Sequence, residues 1–492
     1  MSEVASLHLR RTLNLFNPWG HAMRHILTCL CLALSVYTTA QPWQTAEPSA
    51  PAMSAYGPST VRRILITGQQ RTRTYIIARE ITLVEGRAYA VADILSQVRT
   101  SRQNLMNTAL FVDVSVTPCN WEGDSLDIAV DVKERWYWWP FFYFKPIDRN
   151  WNVWLDQYNS SLERINYGLK VKVDNITGRN DKLNIWLLKG YTEQVTVKYF
   201  NPFADRALRH GYGFELSHAQ FREVNYSTRS NRQQFYKDEQ RYMRRQSYAG
   251  LTYSYRKGSI DRHTAFLGVR MDRIEDTILA MNPGFFLGQL KQVTYPELSY
   301  LFQHLDVDYI PYPLRGYTLE ASFLKRGFGG PMDLWQFGLR GARYWTLPAR
   351  FYFSTLMDAT LKLPFHQSFI NQSLLGYSDN FLRGMEYYVV DGVAGGMVRN
   401  TLRKEILKFD LRTGLRSRAY AVIPFRFYAK AYSDAGYIYA RDNRPGNVLS
   451  NRFLYTGGLG LDILTIYDWV LRLEYSFNQL GEHGLFFHKF SL

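Results

Sequence analysis

The sequence predicts a mainly β protein: an about sixteen-stranded transmembrane β-barrel preceded by one small α+β domain. Three observations predict it. Aromatic residues make up 16% of the 492 residues, with 35 Tyr and 12 Trp, yet mean hydropathy is only −0.28. That combination suits strands that alternate lipid-facing and lumen-facing residues, with rings gathered at the two interfaces; a soluble β-rich protein with an aromatic core is the competing reading of composition alone. From Trp136 onward, runs of about nine to fourteen residues alternate apolar and polar side chains, a length that suits a tilted membrane-spanning strand. The connections between runs then alternate short and long, which an outer-membrane barrel shows and a soluble sandwich need not.

At the N-terminus, Ile26 to Ala40 reads ILTCLCLALSVYTTA, preceded by Arg24 and His25 and ending in Thr38-Thr39-Ala40 before Gln41. An apolar core of this length with a small-residue boundary is a secretory signal and is too short for a spanning helix. Residues 1–40 are therefore expected to be removed, with translation starting at Met23, and residues 41–60 to form a polar, Pro-rich linker. Later in the chain there is no long apolar run, so no helical span is expected; an exported chain without one is still integral if it closes a barrel.

Residues 61–134 read as the α+β domain. Val61 to Thr67 is a strand ending at Gly68, Thr72 to Ile81 a helix with Ile76, Ile77 and Ile81 on one row, and Ala92 to Asn107 a helix buried through Ile94, Leu95, Val98 and Leu105. Strands Phe111 to Thr117 and Ser125 to Val132 follow. The order β-α-α-β-β, with Ile64-Leu65-Ile66-Thr67-Gly68, Arg73-Thr74, Arg79-Glu80, Gly86, Tyr89, Leu105 and Phe111-Val112-Asp113-Val114, resembles a POTRA (polypeptide-transport-associated) domain. Such a module offers a strand edge that pairs with an extended client through backbone hydrogen bonds.

Residues 135–492 read as the barrel. Clear strands are Gly211 to Phe221, Gln246 to Lys257, Asp333 to Trp345, Phe425 to Asp434 and Val470 to Phe477; in the last, Leu471, Leu473, Tyr475 and Phe477 face one way and Arg472, Glu474 and Ser476 the other. Short connections at 257–261, 346–350 and 466–468 alternate with long ones at 222–245, 274–289 and 364–398. Pro140 lies inside the first predicted strand, Trp136 to Phe144, where a residue without an N–H is tolerated at a sheet edge. Pairing with the last strand, Leu485 to Leu492, is therefore expected to be weak.

The longest loop holds Leu382-Arg383-Gly384-Met385-Glu386. This resembles the R-G loop motif of the BamA/TamA-type outer-membrane assembly barrels, as do Tyr432-Ser433-Asp434-Ala435-Gly436, Gly457-Gly458-Leu459-Gly460-Leu461 and Arg472-Leu473-Glu474-Tyr475. The resemblance implies that the loop folds into the lumen and that Arg383, beside Gly384, meets the lumen acids Asp434 and Glu405. A planar guanidinium suits such a site because it bonds two partners and stays charged when dried. Arg315-Gly316 also reads R-G but runs straight into a strand. The terminal aromatic Phe490 is followed by Ser491 and Leu492, a departure from the family's ending.

The net charge of +16 comes from Lys and Arg spread along the chain and interleaved with apolar residues, which excludes nucleic acid as a partner. The ten histidines and three cysteines show no ligand spacing, so no metal, no cofactor and no catalytic residue is expected. The resemblance implies a non-enzymatic outer-membrane protein of a Gram-negative cell, with the POTRA domain in the periplasm. It would capture unfolded client proteins and insert them at a lateral seam formed by Trp136, Trp138, Trp139 and Pro140 on one side and Phe486 and Phe490 on the other. Periplasmic chaperones or accessory lipoproteins and the lipid bilayer are the further partners implied. The alternative is a secretion pore that exports a dedicated partner through the lumen.

Overall fold

The computed structural model describes residues 57–146, 155, 165–190, 192–377, 380–413, 422–444 and 446–490; the signal and most of the predicted linker lie outside them. A first strand, β1 (Ser59–Thr67), ends at Gly68, whose φ of +87° turns the chain; a Cβ there would meet the Val132 carbonyl oxygen at 2.1 Å, so only glycine fits. Helix α1 (Thr74–Ala78), a two-residue strand β2 (Ala88–Tyr89) and helix α2 (Val91–Met106) lead to β3 (Phe111–Glu122) and β4 (Ser125–Glu134). The sheet order is β2-β1-β4-β3, with β1 parallel to β4, and the helices make the crossover that a parallel pair requires.

The small domain's core is Ile76, Ile77, Ile94, Leu105, Phe111, Leu126, Ile128, Val130 and Val132. The expected stripe on α2 needs one correction. Leu95 is 39% exposed, and the buried row is Ile94, Ser101 and Leu105, with Val98 packed at its margin. Ser101 holds a core position because its hydroxyl accepts from the Thr82 N–H at 3.0 Å.

The remaining strands are β5 (Trp138–Pro146), β6 (Ile165–Asp174), β7 (Lys182–Gly190), β8 (Thr192–Asn201), β9 (His210–Phe221), the hairpin β10 (Glu223–Arg229) and β11 (Arg232–Lys237), β12 (Arg244–Tyr255) and β13 (Asp261–Ile274). After helix α3 (Asp276–Met281) come β14 (Gln292–Val307), β15 (Gly316–Arg326), β16 (Leu334–Leu347) and β17 (Phe351–Leu363). The short pair β18 (Ser373–Leu375) and β19 (Val390–Asp391) precedes β20 (Ala394–Arg412), β21 (Val422–Tyr439), β22 (Phe453–Leu464), β23 (Val470–Asn478) and β24 (His483–Phe490). Apart from the two small pairs, β5 to β24 form one 16-stranded sheet in which each strand is antiparallel to its sequence neighbour.

Period-2 patterning sorts the faces. Leu251, Leu267 and Leu459 are 65%, 60% and 61% exposed, and Leu471, Tyr475 and Phe477 share that outer face, while Glu474 and Ser476 are buried inside. So large an exposed apolar belt is what a bilayer covers. No described helix is long and apolar enough to cross a membrane.

Among the described residues, the connections at one end are 175–181, 202–209, 256–260, 308–315, 348–350 and 465–469; the other end carries 222–243, 275–291, 327–333, 364–393, 440–452 and 479–482. The alternation is not uniform: 327–333 and 479–482, on the long-loop side, are themselves short.

The small domain docks on the short turns. Arg71 Nη2 donates to the Ile176 carbonyl at 2.7 Å and Arg79 Nε to that of Leu208 at 2.9 Å. Glu80 Oε2 accepts from Arg256 at 3.1 Å and Ser259 at 2.8 Å, and Asn107 Oδ1 from the Ile310 N–H at 3.0 Å. Arg135, in the link to β5, holds Asp468 with two bonds at 2.6 and 3.1 Å.

Candidate functional site: the arginine loop and the sheet ends

The loop between β17 and β20 folds into the sheet's interior and has its own apolar core, in which Leu374, Leu375, Leu382, Met385 and Val390 pack on Met397, Ile438, Leu449 and Leu454. This packing fixes the backbone on both sides of Arg383, which is 8% exposed. Its Nε donates to Asp434 Oδ2 at 2.8 Å and its Nη2 to Asp434 Oδ1; Nη1 donates to Thr401 Oγ1 at 3.0 Å, and Nη2 also to the Asn400 carbonyl at 3.3 Å. The Arg383 backbone N–H adds a bond to Asp434 Oδ2 at 3.1 Å, and the Tyr432 ring lies 4.0 Å from the guanidinium carbon.

A buried arginine is stable here because its fork is matched by a carboxylate held in one plane and its face by an aromatic ring. Asp434 is 2% exposed and stands opposite Arg399 of β20 in the ladder. The next residue, Gly384, has φ +93°, and a Cβ there would sit 2.9 Å from Ser476 Cβ; its carbonyl accepts from Asn478 Nδ2 at 2.9 Å. Glycine lets the loop touch β23 directly.

Glu405 is not a partner of Arg383. Its carboxylate meets Tyr428 Oη at 3.3 Å and Arg350 Nη1 at 3.7 Å instead. The ladder between β20 and β21 shifts register between Glu405 and Leu407, so Ile406 is an extra residue. A bulge reverses the face of everything beyond it. Glu405 therefore points inward although Leu407 and Phe409, at the same parity, are exposed. Tyr432 is the aromatic of the Tyr432-Ser433-Asp434 motif, whereas Thr401 and Asn400, which complete the arginine's site, carry no charge signal from which sequence reasoning could find them.

At the sheet ends, Trp136 and Trp138 are exposed and linked, Trp136 Nε1 donating to the Trp138 carbonyl; Trp139 Nε1 donates to the Trp136 carbonyl at 2.9 Å and its ring stacks on Phe141 at 5.8 Å. The first barrel strand begins two residues later than expected, at Trp138, because Tyr137 is buried under the small domain, bonded to the Leu110 carbonyl at 3.1 Å. That burial pushes the Tyr137 phenol well above its usual range. Pro140 pairs with Val171 of β6 on one side only. Phe486 does not face outward along the seam: it is buried against the loop, 5.7 Å from the Tyr387 ring. The side chain of Phe490 lies outside the described residues. Among the described residues no ladder joins β5 to β24, the two strands at the ends of the sheet order.

Residues 59–135 match the family model described as POTRA, surface antigen variable number repeat. Among solved structures, BamA from Haemophilus ducreyi lacking POTRA domains 1-3 is similar over 88% of this chain and 83% of that one, at 15% identity and a TM-score of 0.48. CdiB from Acinetobacter baumannii is similar over 87% of this chain and 73% of that one, at 12% identity and a TM-score of 0.44. For CdiB from Escherichia coli the values are 91%, 92%, 11% and 0.44. None of the curated proteins matches the sequence. The chain thus joins a POTRA domain to a 16-stranded barrel-like sheet, the architecture that the BamA/TamA resemblance implied.

Proposed function

We propose that this protein is an outer-membrane assembly factor that receives client strands on its POTRA domain and inserts them between β5 and β24. The observation that carries the reading is the pair of sheet edges at β5 and β24. Unpaired strand edges template further pairing; here one edge carries a proline and exposed tryptophans, and the POTRA domain leads into it through Arg135. The long edge of β3 in the POTRA sheet offers the same chemistry to an extended client, reading backbone rather than sequence. Insertion needs no bond-making step, only exchange of ladders at two edges, with the bilayer covering the apolar belt.

Export of a partner through the lumen is the second reading. The loop clamped by Arg383 and Asp434 inside the sheet, and the POTRA domain docked across the short turns, favour lateral exchange over it, because both would have to leave a transport path. Depletion of the protein followed by outer-membrane proteomics tests the proposal. Broad loss of barrel proteins is expected; loss of a single exported protein, with barrels intact, would overturn insertion in favour of the exporter.

A further inference from the structure

Three side chains far apart in sequence converge beside the arginine loop. Glu386 lies two residues past Gly384, Glu474 on β23 and His488 on β24, and their ligand atoms all fall within 4.8 Å of one another. His488 Nε2 is 3.3 Å from Glu386 Oε1 and 3.3 Å from Glu474 Oε2. An imidazole nitrogen carries at most one hydrogen, so it cannot make two good bonds to these carboxylates at once. Both distances are long for a hydrogen bond, but they are close to the ~3.3 Å that separates two ligands of a tetrahedral Zn²⁺ ion bound at about 2.0–2.1 Å.

The surroundings fix each group for that role. Glu386 Oε2 accepts from the Gly384 N–H at 2.8 Å, and Glu474 Oε1 accepts from Lys430 Nζ at 2.6 Å, so each carboxylate is anchored by one oxygen and turns the other toward the shared point. The His488 ring is stacked on Phe381 at 5.2 Å. Outer contacts of this kind orient metal ligands. Both glutamates are nearly fully buried, and Glu474 is paired with a lysine, Lys430; the His488 side chain keeps 17% exposure and gives an ion a way in.

We propose that Glu386, Glu474 and His488 form a binding site for a divalent transition-metal ion, best matched to Zn²⁺, with a fourth position for water. One nitrogen and two oxygens suit zinc, and a three-ligand site with an open position is a common zinc geometry. The ion ties the loop that carries Arg383 to the last two strands of the sheet, next to its edge, so that occupancy holds the loop in place.

The test uses the full chain, purified folded in detergent without a polyhistidine tag, stripped with chelator and titrated with Zn²⁺ by calorimetry and with Co²⁺ by visible absorption. One ion per chain is expected, with the intense visible bands of four-coordinate Co²⁺. His488→Gln and Glu386→Gln should each weaken binding by more than about 100-fold, beyond the 10–100-fold that loss of an outer-shell partner costs. Heat-modifiable gel migration checks that each variant is a folded barrel, and the second variant serves if the first is not. Zn²⁺ should also slow protease cleavage of the loop in the unaltered protein. Uptake no greater than in His488→Gln, or a Co²⁺ spectrum of the hydrated ion, would overturn the site.

Discussion

Replacing Arg383 by alanine should release its loop from the sheet's interior without unfolding the barrel. The substitution removes both side-chain donors to Asp434 and the bonds to Thr401 and Asn400, leaving the carboxylate, 2% exposed, with the backbone N–H of residue 383 at 3.1 Å. Breaking a buried pair from one side costs about 3–5 kcal/mol. At ~1.4 kcal/mol per tenfold, the open population of the loop should rise roughly 140- to 3,700-fold. The barrel keeps its ladders, so the change is confined to the loop. Hydrogen exchange of the amides in 382–391 reads it directly: protection there falls by that factor while β16 and β17 are unchanged. Asp434→Asn should fall in the same range, and Arg383→Lys, which keeps charge but loses the fork, roughly ten-fold. Protection within about threefold of the unaltered protein in Arg383→Ala would refute the clamp and place the loop's stability in its apolar core.

Glu405→Gln, by the same assay, should leave loop protection within ~0.5 kcal/mol of the unaltered value, because its carboxylate meets Tyr428 and Arg350 and not Arg383. Arg135→Ala should weaken the base of the sheet where β5 begins, since its side chain and that of Asp468 are both buried, at a cost of about 3–5 kcal/mol; faster exchange of β23 amides and of the POTRA–turn contacts is the expected reading. In the POTRA domain, the guanidinium of Arg62 holds Asp127 at 2.8 and 2.9 Å and lowers its pKa to about 2. The pair's contribution is therefore fully present above the ordinary carboxylate value and is lost as pH falls from about 4 through about 2. Exchange of β1 amides should accelerate across that window, and Asp127→Asn should flatten the dependence.

Much of this architecture is legible in the sequence because period-2 patterning is strict wherever one face meets lipid. In β23, Leu471, Tyr475 and Phe477 are exposed and Glu474 and Ser476 buried, as their alternation requires. Parity fails where the backbone inserts a residue. The register shift between Glu405 and Leu407 changes face within β20, and nothing in Leu402-Arg403-Lys404-Glu405-Ile406-Leu407 marks it. In α2 the buried row passes through a small hydroxyl, Ser101, which apolar counting overlooks, while Leu95, counted as buried, is exposed.

Asp434 was legible as the arginine's partner through the motif's resemblance and its lumen parity. The Glu386, Glu474 and His488 cluster was not: ligand spacing along the chain is no guide when the groups come from a loop and two strands brought together by register. The POTRA docking on the short turns is hidden for the same reason, since Glu80 and Arg256 are ordinary surface types until the fold pairs them.

The central claim is that clients enter between β5 and β24. Cysteine pairs placed across these two edges, in a chain carrying Cys119→Ser and reconstituted in lipid vesicles, form a disulfide lock whose closure is read on a non-reducing gel. Client barrel insertion is then followed with the lock closed and after reduction. The account predicts that insertion stops when the lock closes and returns on reduction; full insertion with the lock closed would contradict it.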